Sequence, residues 1–207
     1  MKREDLDALH YITPIANVLS ILTHGIMSHR RATKLPHQSI AMTEIQDRRQ
    51  KVVIPNARPL HEYVNLYLCA RNPMTYRRKA EHRSICVLRI SPDVLDLPGV
   101  IIADQDASSD YVRFSPSPAG LAHIDREMVF AERWTHPGDP IEQFRHRSIK
   151  CAEVLVPDRV DASYIIGAYV SGPEGQEALS TVVPRTCGDC VRSYVLSLMG
   201  RAPWFAF

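Results

Sequence analysis

The sequence predicts an α+β fold: two small mixed or antiparallel sheets around a cleft, with helices flanking them. Three observations carry that reading. Short apolar runs of strand length, such as Ile85-Cys86-Val87-Leu88 and Val154-Leu155-Val156, recur along the chain and stop at Ser, Pro or Asp. Helical patterns are fewer and do not alternate with the strands as βαβ units would. No Gly-x-Gly-x-x-Gly or Gly-x-x-x-x-Gly-Lys pattern occurs, so no nucleotide would be held by a Rossmann or P-loop device.

Taken in order, Ala8 to Thr13 is a short strand. Pro14 to Ile26 is an amphipathic helix: Pro14 suits a first turn, Ile15, Val18, Leu19 and Leu22 form one face, and Gly25 stands past the end. A long loop region follows, with the basic cluster His29-Arg30-Arg31-Ala32-Thr33-Lys34 and then Ile45-Gln46-Asp47-Arg48-Arg49-Gln50-Lys51. A strand and a helix are expected around residues 60 to 80. Ser84 to Ile90 clusters rather than alternates, as a central strand does. Val100 to Ala103 and Met128 to Phe130 are short further elements, and Glu142 to Arg147 reads as a loop. Ser148 to Pro157 and Ser163 to Val170 are later strands, and Val191 to Met199 is a last helix.

A chain of 207 residues can bury one ample core, and no repeat or low-complexity linker divides it, so residues 1–207 are expected to form a single domain. No apolar run approaches the roughly 20 residues needed to span a bilayer, and the charged start Met1-Lys2-Arg3-Glu4-Asp5 lacks a secretory apolar region. Five irregularly spaced cysteines suit a reducing cytoplasm. Cys187-Gly188-Asp189-Cys190 has no second pair, so no metal is expected. The net charge of +2 conceals an asymmetry: residues 1 to 90 hold 15 Lys/Arg against 7 Asp/Glu, the rest 10 against 16. The densest basic stretch runs through Arg71, Arg77, Arg78 and Lys79 with Met74 and Tyr76 interleaved, a mixture that can contact phosphates while a base stacks.

The stretch that points to chemistry is Cys151-Ala152-Glu153-Val154-Leu155-Val156-Pro157, where one carboxylate enters an apolar strand. Such a group needs a partner or a substrate. Beside a cleft it can orient a sugar hydroxyl, stabilise an oxocarbenium-like centre or remove a proton. The bland alternative is a solvent-facing glutamate on an edge strand.

Several spaced blocks occur in a telling order: Tyr11-Ile12-Thr13 with Asn17, the segment around Arg48-Arg49, Tyr63-Val64-Asn65-Leu66-Tyr67-Leu68, Arg71-Asn72-Pro73-Met74-Thr75-Tyr76, Ala152-Glu153-Val154-Leu155-Val156 and Pro203-Trp204-Phe205. Together they resemble the DarT family, bacterial toxins that transfer ADP-ribose from NAD to bases of single-stranded DNA. The resemblance runs from about Leu9 to Trp204 and implies an ADP-ribosyltransferase fold. NAD would be a consumed substrate, a macrodomain antitoxin a partner, and thymidine the favoured base, with guanosine the alternative. It further implies that Glu153 is catalytic and that Arg49, or its neighbour Arg48, grips a phosphate or orients the acceptor. Tyr11, Thr13 and Asn17 would line the NAD site. Arg71, Met74, Tyr76, Arg77 and Arg78, with Arg145 and Arg147 before Glu153, would meet the nucleic acid.

The chain also departs from the family pattern. Pro14 stands where the family commonly has His, and the nearest histidine is His10. Strand alternation puts Tyr11 and Thr13 on one face and His10 on the other, so His10 reaches NAD only through a bulge. Two rival readings remain at this point: the same chemistry on RNA or protein, and a catalytically silent nucleic-acid-binding module.

Overall fold

An eight-stranded sheet organises the chain in the computed structural model, which describes residues 1–183 and the backbone of Gly200–Arg201. The Cys187–Cys190 pair, the expected helix Val191 to Met199 and the Pro203-Trp204-Phe205 segment lie outside the described residues. The strands are β1 (Leu9–Pro14), β2 (Ile26–Met27), β3 (Tyr63–Tyr67), β4 (Ile85–Ile90), β5 (Ile101–Ala103), β6 (Phe114–Pro116), β7 (Glu153–Pro157), β8 (Arg159–Val160), β9 (Ile165–Val170) and β10 (Gly200–Arg201). Their order is β10-β9-β4-β1-β3-β7-β5-β6, while β2 and β8 pair separately.

The sheet is two halves that barely join. Strands β1 and β4 pair from Leu9↔Ile90 through Pro14↔Ile85, and β3 and β7 pair from Tyr63↔Pro157 through Tyr67↔Glu153. Between β1 and β3 only His10↔Tyr67 is paired, so the halves diverge and a cleft opens. Pairing is antiparallel throughout except between β9 and β10.

The helices are α1 (Val18–His24), α2 (His29–Ala32), α3 (Thr43–Gln50), α4 (Pro73–Arg77), α5 (Arg126–Phe130), α6 (Pro140–Ile149) and α7 (Gly172–Val182). Val18 and Ile21 of α1 and Leu179 of α7 pack with Leu9, Leu66, Leu88 and Val154 in the main core. Ile12, Ile85 and Val87 form a smaller cluster, and Tyr63, Ala103 and Leu155 another with Ile54 and Leu60. Gly25 closes α1 at φ 81°, and a Cβ there would strike the Val160 carbonyl, so both the turn and its packing require glycine.

Several segments differ from expectation. Glu142 to Arg147 lies in α6, not a loop: Pro140 occupies the first turn, and Asp139 Oδ1 accepts from the Glu142 amide at 2.9 Å. Residues 148 and 149 finish that helix, so the strand expected from Ser148 starts at Glu153. The supposed long loop contains α2 and α3. The short element expected at Met128 to Phe130 is present and is helical, with Asp125 capping the Met128 amide at 3.0 Å.

Candidate active site

Glu153 opens β7 between β3 and β5, opposite Tyr67 on one side and Ala103 on the other. It is 1% exposed, which rules out the solvent-facing edge alternative. Its partner is Arg49 of α3, whose Nη1 and Nη2 donate to Oε1 and Oε2 at 3.0 and 3.1 Å. A guanidinium fork fits a carboxylate in this bidentate way, and the arrangement chooses between the adjacent arginines. Arg49 is the only buried residue of α3. A helix this polar has no apolar face to dock it, so the ion pair is its main inward anchor.

Burial pushes the Glu153 carboxyl above the ordinary carboxylate range, although Arg49 and the Ala107 amide pull it back. Burial also works against the Arg49 charge, but Glu153 overcomes this and holds the guanidinium firmly protonated. The buried Tyr67 phenol lies well above its usual value, through burial first and the Glu153 charge second.

Arg49 and Tyr67 border two cavities. The first, of about 170 Å³, opens at the split between β1 and β3 and is lined by Tyr11, Thr13 and Asn17 as well as His29 and His61. The two imidazoles stand 4.3 Å apart between ring centroids. Burial lowers both, His61 to about 4, so they are neutral at pH 7. Burial pushes the Tyr11 phenol up to about 12. Asn17 is committed to the loop beside it: Nδ2 donates to the Gln38 carbonyl at 2.8 Å, and Oδ1 accepts from the Gln38 amide at 2.9 Å. It also donates to Thr13 Oγ1 at 3.3 Å.

His10 does not line this cavity. Its ring stacks on Tyr169, with centroids 6.2 Å apart, and Nδ1 lies 3.4 Å from the Tyr67 carbonyl. Burial lowers it to about 4. The strand β1 pairs in register through its whole length, and no bulge turns His10 inward. Arg48 also lies away from the first cavity and lines the second.

The second cavity, of about 580 Å³, is the one that reaches Glu153 itself, and it is also lined by Arg48, Met74, Arg77 and Arg147, with the exposed Tyr111 and Phe144. Arg71 and Tyr76, with Arg77 and Arg147 again, border a neighbouring pocket around Trp134. Arg78 is turned elsewhere, donating to Glu81 at 2.8 Å and to the Ile40 carbonyl. Arg145 faces Glu142 at 3.2 Å and lines neither cavity. Sequence reasoning missed Trp134 and His61, whereas His29 stands in the basic cluster His29 to Lys34 that the sequence singles out. The signal for Trp134 was its composition: one of two tryptophans, set in the polar run Glu132-Arg133-Trp134-Thr135-His136.

A profile described as "ssDNA thymidine ADP-ribosyltransferase, DarT" matches residues 10–192. The chain belongs to the DarT family. Among curated relatives, a DNA ADP-ribosyl transferase–DNA ADP-ribosyl glycohydrolase fusion protein of Thermosipho africanus is 31% identical over 176 residues, 80% of this chain and 43% of that protein. The chain thus spans less than half of that fusion. A DNA ADP-ribosyl transferase of Thermus sp. (strain 2.9) is 28% identical over 159 residues, 72% of this chain and 73% of the relative. The solved structure of Thermus sp. 2.9 DarT in complex with ADP-ribosylated ssDNA superposes with a TM-score of 0.75 at 27% identity, covering 88% of this chain and 90% of that one. The same Thermus protein with carba-NAD+ gives 0.68 at 26% identity over 84% and 87%. These DarT matches confirm the expected ADP-ribosyltransferase-like α+β fold.

Proposed function

We propose that this DarT-family chain is an NAD-dependent mono-ADP-ribosyltransferase that modifies thymidine in single-stranded DNA, as the toxin of a toxin–antitoxin pair. The observation that carries this reading is the buried Arg49–Glu153 pair, whose arginine borders both cavities and whose carboxylate borders the second. A binding module has no need of a buried carboxylate, whereas glycosidic bond cleavage does.

NAD occupies the first cavity as a substrate that is consumed, with Tyr11 and Thr13 on its nicotinamide side. Rupture of the bond from C1″ to nicotinamide returns the bond pair to the pyridinium ring and leaves positive charge on the ribose. A carboxylate has about four lone-pair sites, of which Arg49 takes two and the Ala107 amide one, so Glu153 can still hold a ribose hydroxyl and stabilise that charge. Thymine N3, arriving from the second cavity, forms the new bond to C1″, and its proton passes to Glu153. Arg77 and Arg147 take phosphates of the strand. Arg49 holds the carboxylate in place.

Among the described residues no helix is long and apolar enough to cross a membrane, and Cys69, Cys86 and Cys151 are free thiols. The reading places the enzyme in the cytoplasm. Its partner there is an enzyme of macrodomain type that hydrolyses ADP-ribose from DNA, an activity that the Thermosipho relative's name includes.

The test is incubation with labelled NAD and oligonucleotides of different base content, beside RNA and lysate protein. Label should enter thymidine-containing single-stranded DNA alone. Transfer to RNA or protein instead relocates the acceptor, and no transfer with no nicotinamide release rejects the enzyme.

A further inference from the structure

We infer that the pocket around Trp134 is a second nucleobase subsite, taking the base that neighbours the modified thymine on the same strand. The inference rests on the single-stranded-DNA reading above. The pocket has a volume of about 280 Å³ and is open at the surface, with Trp134 half-buried in its wall. The Arg71 guanidinium carbon is 5.9 Å from the Trp134 ring centroid, Lys150 Nζ is 5.6 Å from it, and Tyr76 meets it edge-on at 6.1 Å. Trp134 is thus set among cations, and its ring borders a small open space.

Two further observations select a nucleotide. Lys150 is 1% exposed and donates to the Val129 carbonyl at 2.6 Å, so the cation beside the ring is fixed by the fold and is not a solvated chain. The pocket is also continuous with the catalytic groove, because Pro73, Arg77 and Arg147 line both. Those two arginines stand on the shared rim, where the phosphodiester linking two adjacent nucleotides would pass. Aromatic platform, phosphate-binding rim and continuity with the reacting centre are the parts a single-strand subsite needs.

The test uses the full chain and oligonucleotides with a single thymidine, each neighbouring base being replaced in turn by an abasic residue. Affinity is read by fluorescence anisotropy at fixed salt. Trp134→Ala should weaken binding of the intact strand roughly 5- to 150-fold, as loss of one base–aromatic stack does. At one neighbouring position, removing the base should cost the wild type a similar factor and cost the Trp134→Ala protein nothing more. Trp134→Phe should keep most of the affinity and the same position dependence, which separates stacking from a folding defect. Losses that simply add at every position, or unchanged affinity in Trp134→Ala, overturn the subsite. Transfer from NAD is scored on the same strands. A wild type that binds but transfers nothing rejects the transferase reading and leaves the subsite to the binding cycle; a wild type that does not bind single strands rejects both.

Discussion

Replacing Arg49 by alanine removes the only charged partner, among the described residues, of a carboxylate that is 1% exposed. Breaking a buried pair from one side costs roughly 3–5 kcal/mol at neutral pH, because the remaining charge is left without compensation. For a chain of 207 residues that corresponds to a melting temperature lower by roughly 6–20 °C. The loss should depend on pH. In the wild type the folded Glu153 carboxyl already sits above its unfolded value of about 4.3. Its contribution to stability is therefore fully present at acid pH and is lost as pH rises through the raised value. Arg49 is what pulls that value down, so Arg49→Ala raises it further and widens the window upward. The deficit should be small near pH 4.5 and full at pH 8. Adding Glu153→Gln to Arg49→Ala should restore much of the stability, since a neutral amide leaves no buried charge. Thermal unfolding of the three proteins across this pH range measures all of it. A deficit that is equal at both ends, or that Glu153→Gln fails to relieve, would refute a charged carboxylate at this site.

Glu153→Gln alone should lower kcat for ADP-ribosyl transfer by orders of magnitude and also lower the melting temperature, because the buried Arg49 guanidinium then lacks its counter-charge; a variant that still folds and retains transfer removes Glu153 from the mechanism. Arg77→Ala should reduce the salt dependence of single-stranded DNA binding by about 0.7 units in the log–log slope, whereas Arg78→Ala should leave it unchanged because Glu81 and the Ile40 carbonyl already occupy that side chain. Equal slopes for the two variants would place the strand on another surface. Thr13→Val should raise KM for NAD in a nicotinamide-release assay, since it removes the hydroxyl that Asn17 contacts, while His10→Ala should be mild; the reverse result would put His10 in the NAD site.

Where the physics was local, the sequence was informative. The stop signal at Gly25 located the end of α1, whereas Pro14 closes β1 and a 3-10 turn over Ile15–Asn17 delays the helix to Val18; strand periodicity placed Tyr11 and Thr13, but not His10, on the cavity. The unbroken apolar run of β4 gave a central strand buried on both faces. Arg48 and Arg49 could not be told apart because α3 is polar on every side, and only the tertiary pair with Glu153 distinguishes them. Asp139 and Pro140 form the capped start of α6, so the basic residues before Glu153, expected in a loop, are held on a helix. Trp134, His29 and His61 belong to no periodic pattern, and their proximity to the cavities arises from contacts between segments distant in the chain.

The single rung between β1 and β3 has a mechanical consequence. A continuous ladder resists opening because its rungs must separate together, whereas here the only ladder pairing along that line is His10↔Tyr67, and the shared core of Leu9, Leu66, Leu88 and Val154 is what holds the halves together. Backbone pairing is concentrated within each half, the division of labour found in a pair of jaws. Tyr67 is the pivot, facing His10 in one jaw and Glu153 in its own. The carboxylate therefore sits beside the fulcrum, where widening the mouth of the cleft displaces it least.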